Sequence, residues 1–514
     1  MSSLLLTDAR LAGGDGSAVD ITVTDGVVTS IVPTGRAVPA APAERIAVGG
    51  RWVLPGLWDE HVHFTQWASV SRRLDVSSAT SAAETAALVG GALRLTATRV
   101  GEPRATDSAA SELLIGYGFR DALWLDTPSA ALLDAVSGAH PVVLVSGDLH
   151  CCWLNTAALA RFGQSAHPDG VLREEPAFAV HRELDDVPVT TSDAWALEAA
   201  RAAAARGVVG IVDLEMAWNH EVWSRRLAAG HDLLRVEFGV YPQHLDRAIA
   251  EGLRSSDALD AAGLVRVGPS KIITDGSLNT RTAFCFDEYP GLEGHPESRG
   301  LLTVHPDDLL DLLRRGRTGG LTPAVHAIGD HANALTLDAF EALHAERPGD
   351  ASAPRRRPTL EHAQLLAEAD FERFARLGVV ASVQPEHAMD DRDVADRFWA
   401  GRTGRSFALR SLLAAGAELA LGSDAPVAPL DPWVTLAAAV GRTRDGREPW
   451  HPEQRIPVAA ALAASSRGRS RVAVGDTADL VAVDLDPYAA TPDALRTAPV
   501  ALTLLAGRVT HRAL

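Results

Sequence analysis

Between Val53 and Ser423 the chain repeats one motif: a short apolar run that ends in polar residues, followed in most cases by a longer segment rich in alanine, leucine and arginine. The apolar runs are Val53–Phe64, Val208–Leu214, Leu234–Tyr241, Leu264–Thr274, Leu321–Ala327, Thr359–His362, Val379–Gln384 and Glu418–Ser423. Helical spacing fits Asp193–Arg206, His244–Ala262, His305–Arg317, Ala332–Glu346, Ala363–Leu377 and Ser406–Ala415 between them. Parallel neighbours need a crossover, usually a helix, and eight such units close into a barrel. The expected fold is therefore α/β, a (β/α)8 TIM-like barrel. Residues 66–192 are too long for one barrel connection and read as an insertion after the first strand, with a strand of its own at Pro141–Ser146.

The two chain ends have a different rhythm. Ile21-Thr-Val-Thr and Val27-Val-Thr-Ser-Ile alternate apolar and polar around Asp25-Gly26, a two-residue hairpin signal. A Pro/Ala-rich stretch, Val38 to Pro42, separates them from strand-like Arg45–Val53, and the far end, from Ala478, is again strand-like. We expect one small β-sandwich built from residues 1–54 and 470–514, with 55–469 forming the barrel.

Composition narrows the function. Asp and Glu number 66 against 48 Lys and Arg, a formal net charge of −18, so nucleic acid and anionic membrane are poor partners. No apolar run approaches a membrane span, the first residues lack a signal peptide's basic segment, and a cytoplasmic location is the default expectation. Cys151, Cys152 and Cys285 have neither disulfide-framework nor zinc-ribbon spacing and read as buried thiols. A homodimer is the expectation for an acidic, alanine-rich barrel.

Lysine occurs once, at Lys271; every other basic residue is arginine. An ammonium needed only for charge could have been arginine as well. A lysine kept inside the apolar run Leu264–Thr274 points to amine chemistry, either as a Schiff base or as a carbamate formed with CO2. Other strand candidates deliver polar residues at their C-terminal ends, where (β/α) barrels place active sites. The first ends His61-Val-His63, two residues on one strand face that can reach one ion. The fifth carries His326, the sixth His362 and the eighth Asp424. Each has a bland reading as a hydrogen-bonded structural residue, but together they form a constellation.

Pro55-Gly-Leu-Trp-Asp-Glu-His-Val-His, Lys271-Ile-Ile-Thr-Asp-Gly-Ser-Leu-Asn-Thr-Arg-Thr-Ala, His326-Ala-Ile-Gly-Asp, Leu360-Glu-His-Ala-Gln, Ser382-Val-Gln-Pro-Glu-His and Gly422-Ser-Asp-Ala-Pro-Val carry a family likeness over nearly the whole chain. They resemble the amidohydrolase superfamily, and within it the family-3 amidohydrolases, a branch that includes N-substituted formamide deformylases. The resemblance implies a two-zinc hydrolase that cleaves an amide-type C–N bond of a small molecule through a metal-bridging hydroxide. It implies His61, His63 and Asp424 on one ion, His326 and His362 on the second, carboxylated Lys271 as the bridge, and Asp424 as the group that moves the proton. By the same likeness His150, in a His-x-x-Trp-x-Asn segment, would face substrate, and Asn279, Arg281, Gln384 and His387 would line the mouth.

Two alternatives remain at this point: a mononuclear deaminase, which generally carries a Glu where Gly329 stands, and a non-catalytic binding relative. Two departures from the family pattern are His331, where an arginine usually follows Gly-Asp, and the short segment Ser465-Ser-Arg-Gly-Arg-Ser.

Overall fold

A computed structural model describes residues 3–37, 43–99, 113–121, 124–147, 149, 151–173, 175–346 and 356–514. The chain divides into two compact units, residues 1–67 with 196–514, and residues 68–195.

In the first unit eight parallel strands form the barrel sheet: β1 (Leu57–Val62), β2 (Val208–Asp213), β3 (Arg235–Val240), β4 (Val265–Ile273), β5 (Pro323–Ala327), β6 (Thr359–His362), β7 (Val380–Val383) and β8 (Leu419–Leu421). They pair in sequence order, and a parallel bridge between Val62 and Ala425 joins β8 back to β1. Residues buried on both faces explain why the strands read as apolar runs and not as alternating ones. The helices follow the usual end rules. Pro306–Gly319 has proline and two aspartates in its first turn, stops at left-handed Gly320, and buries Leu309, Leu313 and Gly316 along one stripe.

Three helices are shorter than the sequence spacing predicts: Ser406–Ala415 keeps only Leu409–Ala414, and the other two have identifiable causes. His244–Ala262 keeps only Pro242–His244 and Leu245–Ala250, because Gly252 turns the chain and Ser256 pairs its N–H with Val267 of β4. Ala363–Leu377 becomes helical only at Glu368, since His362 and Ala363 take left-handed backbone and the Leu365 N–H goes to Ile328.

Strands from both chain ends hydrogen-bond into one sheet around Leu4, Leu6, Ile21, Val23, Val53, Leu480, Leu502 and Leu504. The hairpin at Asp25-Gly26 has φ of 47° and 79°, the two left-handed residues of a type I′ turn. The expected first barrel strand, Val53–Phe64, is in fact two strands. Trp52–Pro55 belongs to the terminal sheet, Leu57–Val62 to the barrel, and Gly56 lies where any side chain would run into Val209.

Paired charged side chains gather towards the N-terminal side of the barrel strands. Arg467 lies over the Trp58 ring, 3.3 Å from its centroid, and bonds Glu60 and Glu237, while Arg356 pairs with Glu237. Arg467 belongs to the Ser465–Ser470 segment, which thereby forms part of the barrel floor. A cavity of about 580 Å³ opens beside it, lined in part by Thr359, Val380 and Leu419 at the starts of their strands.

The second unit holds a five-stranded sheet in which Val142–Ser146 pairs with Leu114–Phe119 and Cys151–Leu154. Alternation sends Cys151 to one apolar cluster and Cys152 to the other, and both are buried. Among the described residues no helix is long and apolar enough to cross a membrane.

Candidate metal centre

The C-terminal strand ends bring the expected side chains together. His61, His362 and Asp424 each offer a ligand atom, and these atoms lie within 4.8 Å of one another. His61 Nε2 and His63 Nε2 are both 3.4 Å from Asp424 Oδ1, as the same-face spacing of residues two apart predicts. Lys271 is 1 % exposed, and its Nζ is 3.5 Å from His61 Nε2. The rings of His326 and His362 meet edge to face, with centroids 4.3 Å apart. His362 and Asp424 occupy left-handed backbone, φ 72° and 58°, a strain on the order of 1–3 kcal/mol each that places them where regular strand would not.

Electrostatics keep two of the imidazoles, His61 and His362, available as donors. Burial, and then the nearby Lys271, push His61 down to about 4 against the pull of Asp424 and Glu361. Burial and the neighbouring His326 hold His362 well below the ordinary range, and burial also lowers the Lys271 amine. Burial works to raise Asp424, but the imidazoles around it, His61 first, outweigh that and hold it well below the usual carboxylate range. His63 Nδ1, His326 Nε2, His362 Nδ1 and His387 Nε2 are buried and lack a hydrogen-bond partner among the described residues. Buried polar atoms are rarely left so, and several unsatisfied imidazole nitrogens around an ionised carboxylate are the donor set of a divalent cation. The residues fit a metal.

Of the residues predicted to line the mouth, two join the cluster. Gln384 Nε2 is 3.5 Å from His61 Nδ1, and His387 Nε2 is 3.9 Å from Asp424 Oδ2. Arg281, in the loop after β4, lays its guanidinium over Phe398, 5.4 Å from the ring centroid, and Asn279 is half-buried in the same loop. His150 lies outside the described residues. Its motif companions serve the second unit: Trp153 is buried and donates to Ser129, and Asn155 caps the helix Thr156–Arg161.

Two carboxylates outside the expected ligand set adjoin the cluster. Glu361 Oε2 is 2.7 Å from His61 Nδ1. Asp275 accepts from the N–H groups of Phe284, Ile328 and Gly329, and its Oδ1 is 3.4 Å from His326 Nε2. Their signal was present in Leu360-Glu-His and in Lys271-Ile-Ile-Thr-Asp. His331 is stacked between Phe284 and Phe286, at centroid distances of 4.6 and 4.3 Å, so the departure at that position builds an aromatic sandwich.

The sequence profile of the amidohydrolase family matches residues 44–511. The chain belongs to the amidohydrolase family. It is accordingly a metal-dependent hydrolase acting on carbon–nitrogen bonds. Among curated relatives, this amidohydrolase is 29% identical over 462 residues to Protein LONG AFTER FAR-RED 3 of Arabidopsis thaliana, covering 83% of this chain and 75% of the relative. It is 25% identical to the N-substituted formamide deformylase of Arthrobacter pascens, covering 99% of this chain and 98% of that one. A crystal structure of an uncharacterized metal-dependent hydrolase from Pyrococcus horikoshii OT3 superposes with a TM-score of 0.74 at 21% identity, covering 96% of this chain and 99% of the other. That likeness is one of fold.

Proposed function

We propose that this amidohydrolase is a binuclear zinc enzyme that hydrolyses an amide-type C–N bond in a small molecule, with N-substituted formamides as the first substrate class to test. The observation that carries the reading is Lys271: the chain's one lysine, buried, with its amine 3.5 Å from His61 Nε2 amid the imidazole cluster. His61, His63 and Asp424 would hold one ion and His326 and His362 the other, with Lys271 between them. Burial lowers the Lys271 amine and so favours its neutral form, the form that attacks CO2. A C–N bond forms, one proton leaves the nitrogen, and the product carbamate is an anion with two oxygens to share.

Two divalent ions held there would supply Lewis acidity to a substrate carbonyl and would make a water acidic near neutral pH. The chain's own residues do the rest. Asp424, held ionised by its neighbours, takes a proton on a carboxylate oxygen and returns it to the leaving nitrogen. His387 Nε2, 3.9 Å from Asp424 Oδ2, is placed to steady that carboxylate between the two transfers. The choice of formamides rests on the similarity to the Arthrobacter pascens deformylase along 99% of this chain.

The test joins metal analysis to substitution. Purified protein is expected to contain about two zinc ions per chain. Lys271→Ala is expected to abolish release of formate and amine from N-substituted formamides, with partial recovery on adding a short carboxylic acid. A fully active Lys271→Arg enzyme would overturn the carbamate, and unaltered activity in correctly folded, metal-free protein would overturn the hydrolase mechanism.

A further inference from the structure

Glu361 has no part in the scheme above, yet it is 1 % exposed and its Oε2 is 2.7 Å from His61 Nδ1. Its other oxygen accepts from the Thr359 hydroxyl, so the carboxylate is held from two sides within β6. A neutral imidazole carries one N–H and one lone pair, and an ionised carboxylate can only accept. The proton of His61 therefore sits on Nδ1, and the lone pair is left on Nε2. That is the nitrogen facing Asp424 Oδ1 at 3.4 Å and Lys271 Nζ at 3.5 Å. Gln384 Nε2 is 3.5 Å from the same Nδ1, too far to displace a carboxylate at 2.7 Å.

Strand geometry explains how a residue next to a proposed ligand comes to face the same interior. Thr359 and Glu361 are two apart and share one face of β6. Regular alternation would turn His362 to the opposite face, but its φ of 72° swings the imidazole back toward His61, to a centroid distance of 5.0 Å. Two consecutive side chains thus adjoin the His61 ring, the His362 imidazole beside it and the Glu361 carboxylate at Nδ1.

We propose that Glu361 is a positioning residue that fixes the tautomer and orientation of His61 and thereby sets metal affinity. This rests on the metal reading above. The rival account is that Glu361 merely supplies negative charge near Lys271, and two variants separate the accounts. Glu361→Gln keeps the reach and an accepting oxygen but loses the charge. Glu361→Asp keeps the charge but withdraws the oxygen by one methylene.

Zinc affinity of the wild-type protein and both variants would be measured by competition with a chelator, alongside the visible absorption of the cobalt(II)-loaded proteins, which reports ligand geometry. Glu361→Asp is expected to bind zinc about 10- to 100-fold more weakly and to show altered cobalt bands, with Glu361→Gln within about threefold of wild type. Thermal melting confirms that each variant is folded, and Glu361→Ala, expected to match Glu361→Asp, gives a second measure. Wild-type affinity in Glu361→Asp, or a loss in Glu361→Gln equal to that in Glu361→Asp, would overturn the positioning role. A wild-type protein that binds neither zinc nor cobalt would overturn the metal reading, and this inference with it.

Discussion

Gly422, two residues before Asp424, lies against β1, and replacing it with alanine tests the seam on which the site depends. A Cβ there would be 2.7 Å from the His61 backbone nitrogen, 2.8 Å from His61 Cβ and 3.1 Å from Asp59 Oδ1. Ordinary contact begins near 3.4 Å, so the closest atom must move by about 0.7 Å, and because it is backbone it cannot rotate away. Asp424 donates its own N–H to the His61 carbonyl, so the shift passes directly to the strand pair that holds both groups. Metal donors tolerate displacements of about 0.2 Å, and a misplacement near 1 Å can cost on the order of 10²-fold in rate. We expect Gly422→Ala to lose about 1–3 kcal/mol of stability and at least about tenfold in zinc affinity, with activity falling roughly 10²-fold. The assay is metal analysis after dialysis, paired with thermal melting. Gly404→Ala, where the nearest foreign atom is 3.9 Å away, is the control. Full zinc content and wild-type activity in Gly422→Ala would refute the claim that the β8–β1 seam sets the donor geometry.

Other consequences follow from the barrel floor and the second unit. Burial works to raise Glu237, but Arg467 and Arg356 hold it down to about 2, against an ordinary value of 4.5. Its folded value lies below its unfolded one, so the stabilisation, about 3 kcal/mol, is complete above pH 4.5 and disappears as pH falls through 2. In urea melts Arg467→Met is expected to lose about 2 kcal/mol at pH 7, with the gap to wild type closing between pH 4.5 and 2; a gap independent of pH would assign the loss to packing on Trp58. In the second unit, Asn155 Oδ1 accepts from Val142 and Ala158 while its amide donates to Ser137 and His140. Asn155→Ala should therefore cost about 2–4 kcal/mol and speed hydrogen exchange in Val142–Ser146, and unchanged exchange there would refute the capping role.

Much of the barrel and its cluster is legible in the amino-acid sequence. Barrel strands buried on both faces leave uninterrupted apolar runs, and a polar residue at or just past the end of such a run stands out, as His326, His362 and Asp424 do. What stayed hidden depends on single backbone angles and on contacts distant in sequence. The left-handed turn at His362 breaks alternation and puts Glu361 and His362 on one interior, which no periodicity reveals. The same turn, with the Leu365–Ile328 bond, delays the following helix until Glu368. The division at Gly56 was invisible because Trp52–Pro55 and Leu57–Val62 are equally apolar, and only their partners differ. Asn155 illustrates the converse: a residue inside a recognisable motif whose side chain is occupied by its own unit's backbone.

The terminal sheet also has a bearing on biosynthesis. Trp52–Pro55 pairs with Ser3–Leu11 on one side and with Leu480–Val483 on the other, and Arg51 bonds Asp484 across 433 residues of sequence. A ribosome releases Ser3–Leu11 and Trp52–Pro55 before the barrel and their partner Leu480–Val483 after it. Throughout translation of the barrel, the nascent sheet carries an open hydrogen-bonding edge and an uncovered apolar face at Leu54, which later packs in the cluster containing Val481 and Val483. Such edges recruit other strands, so the window between emergence of Pro55 and arrival of Leu480 is when this protein most needs a chaperone.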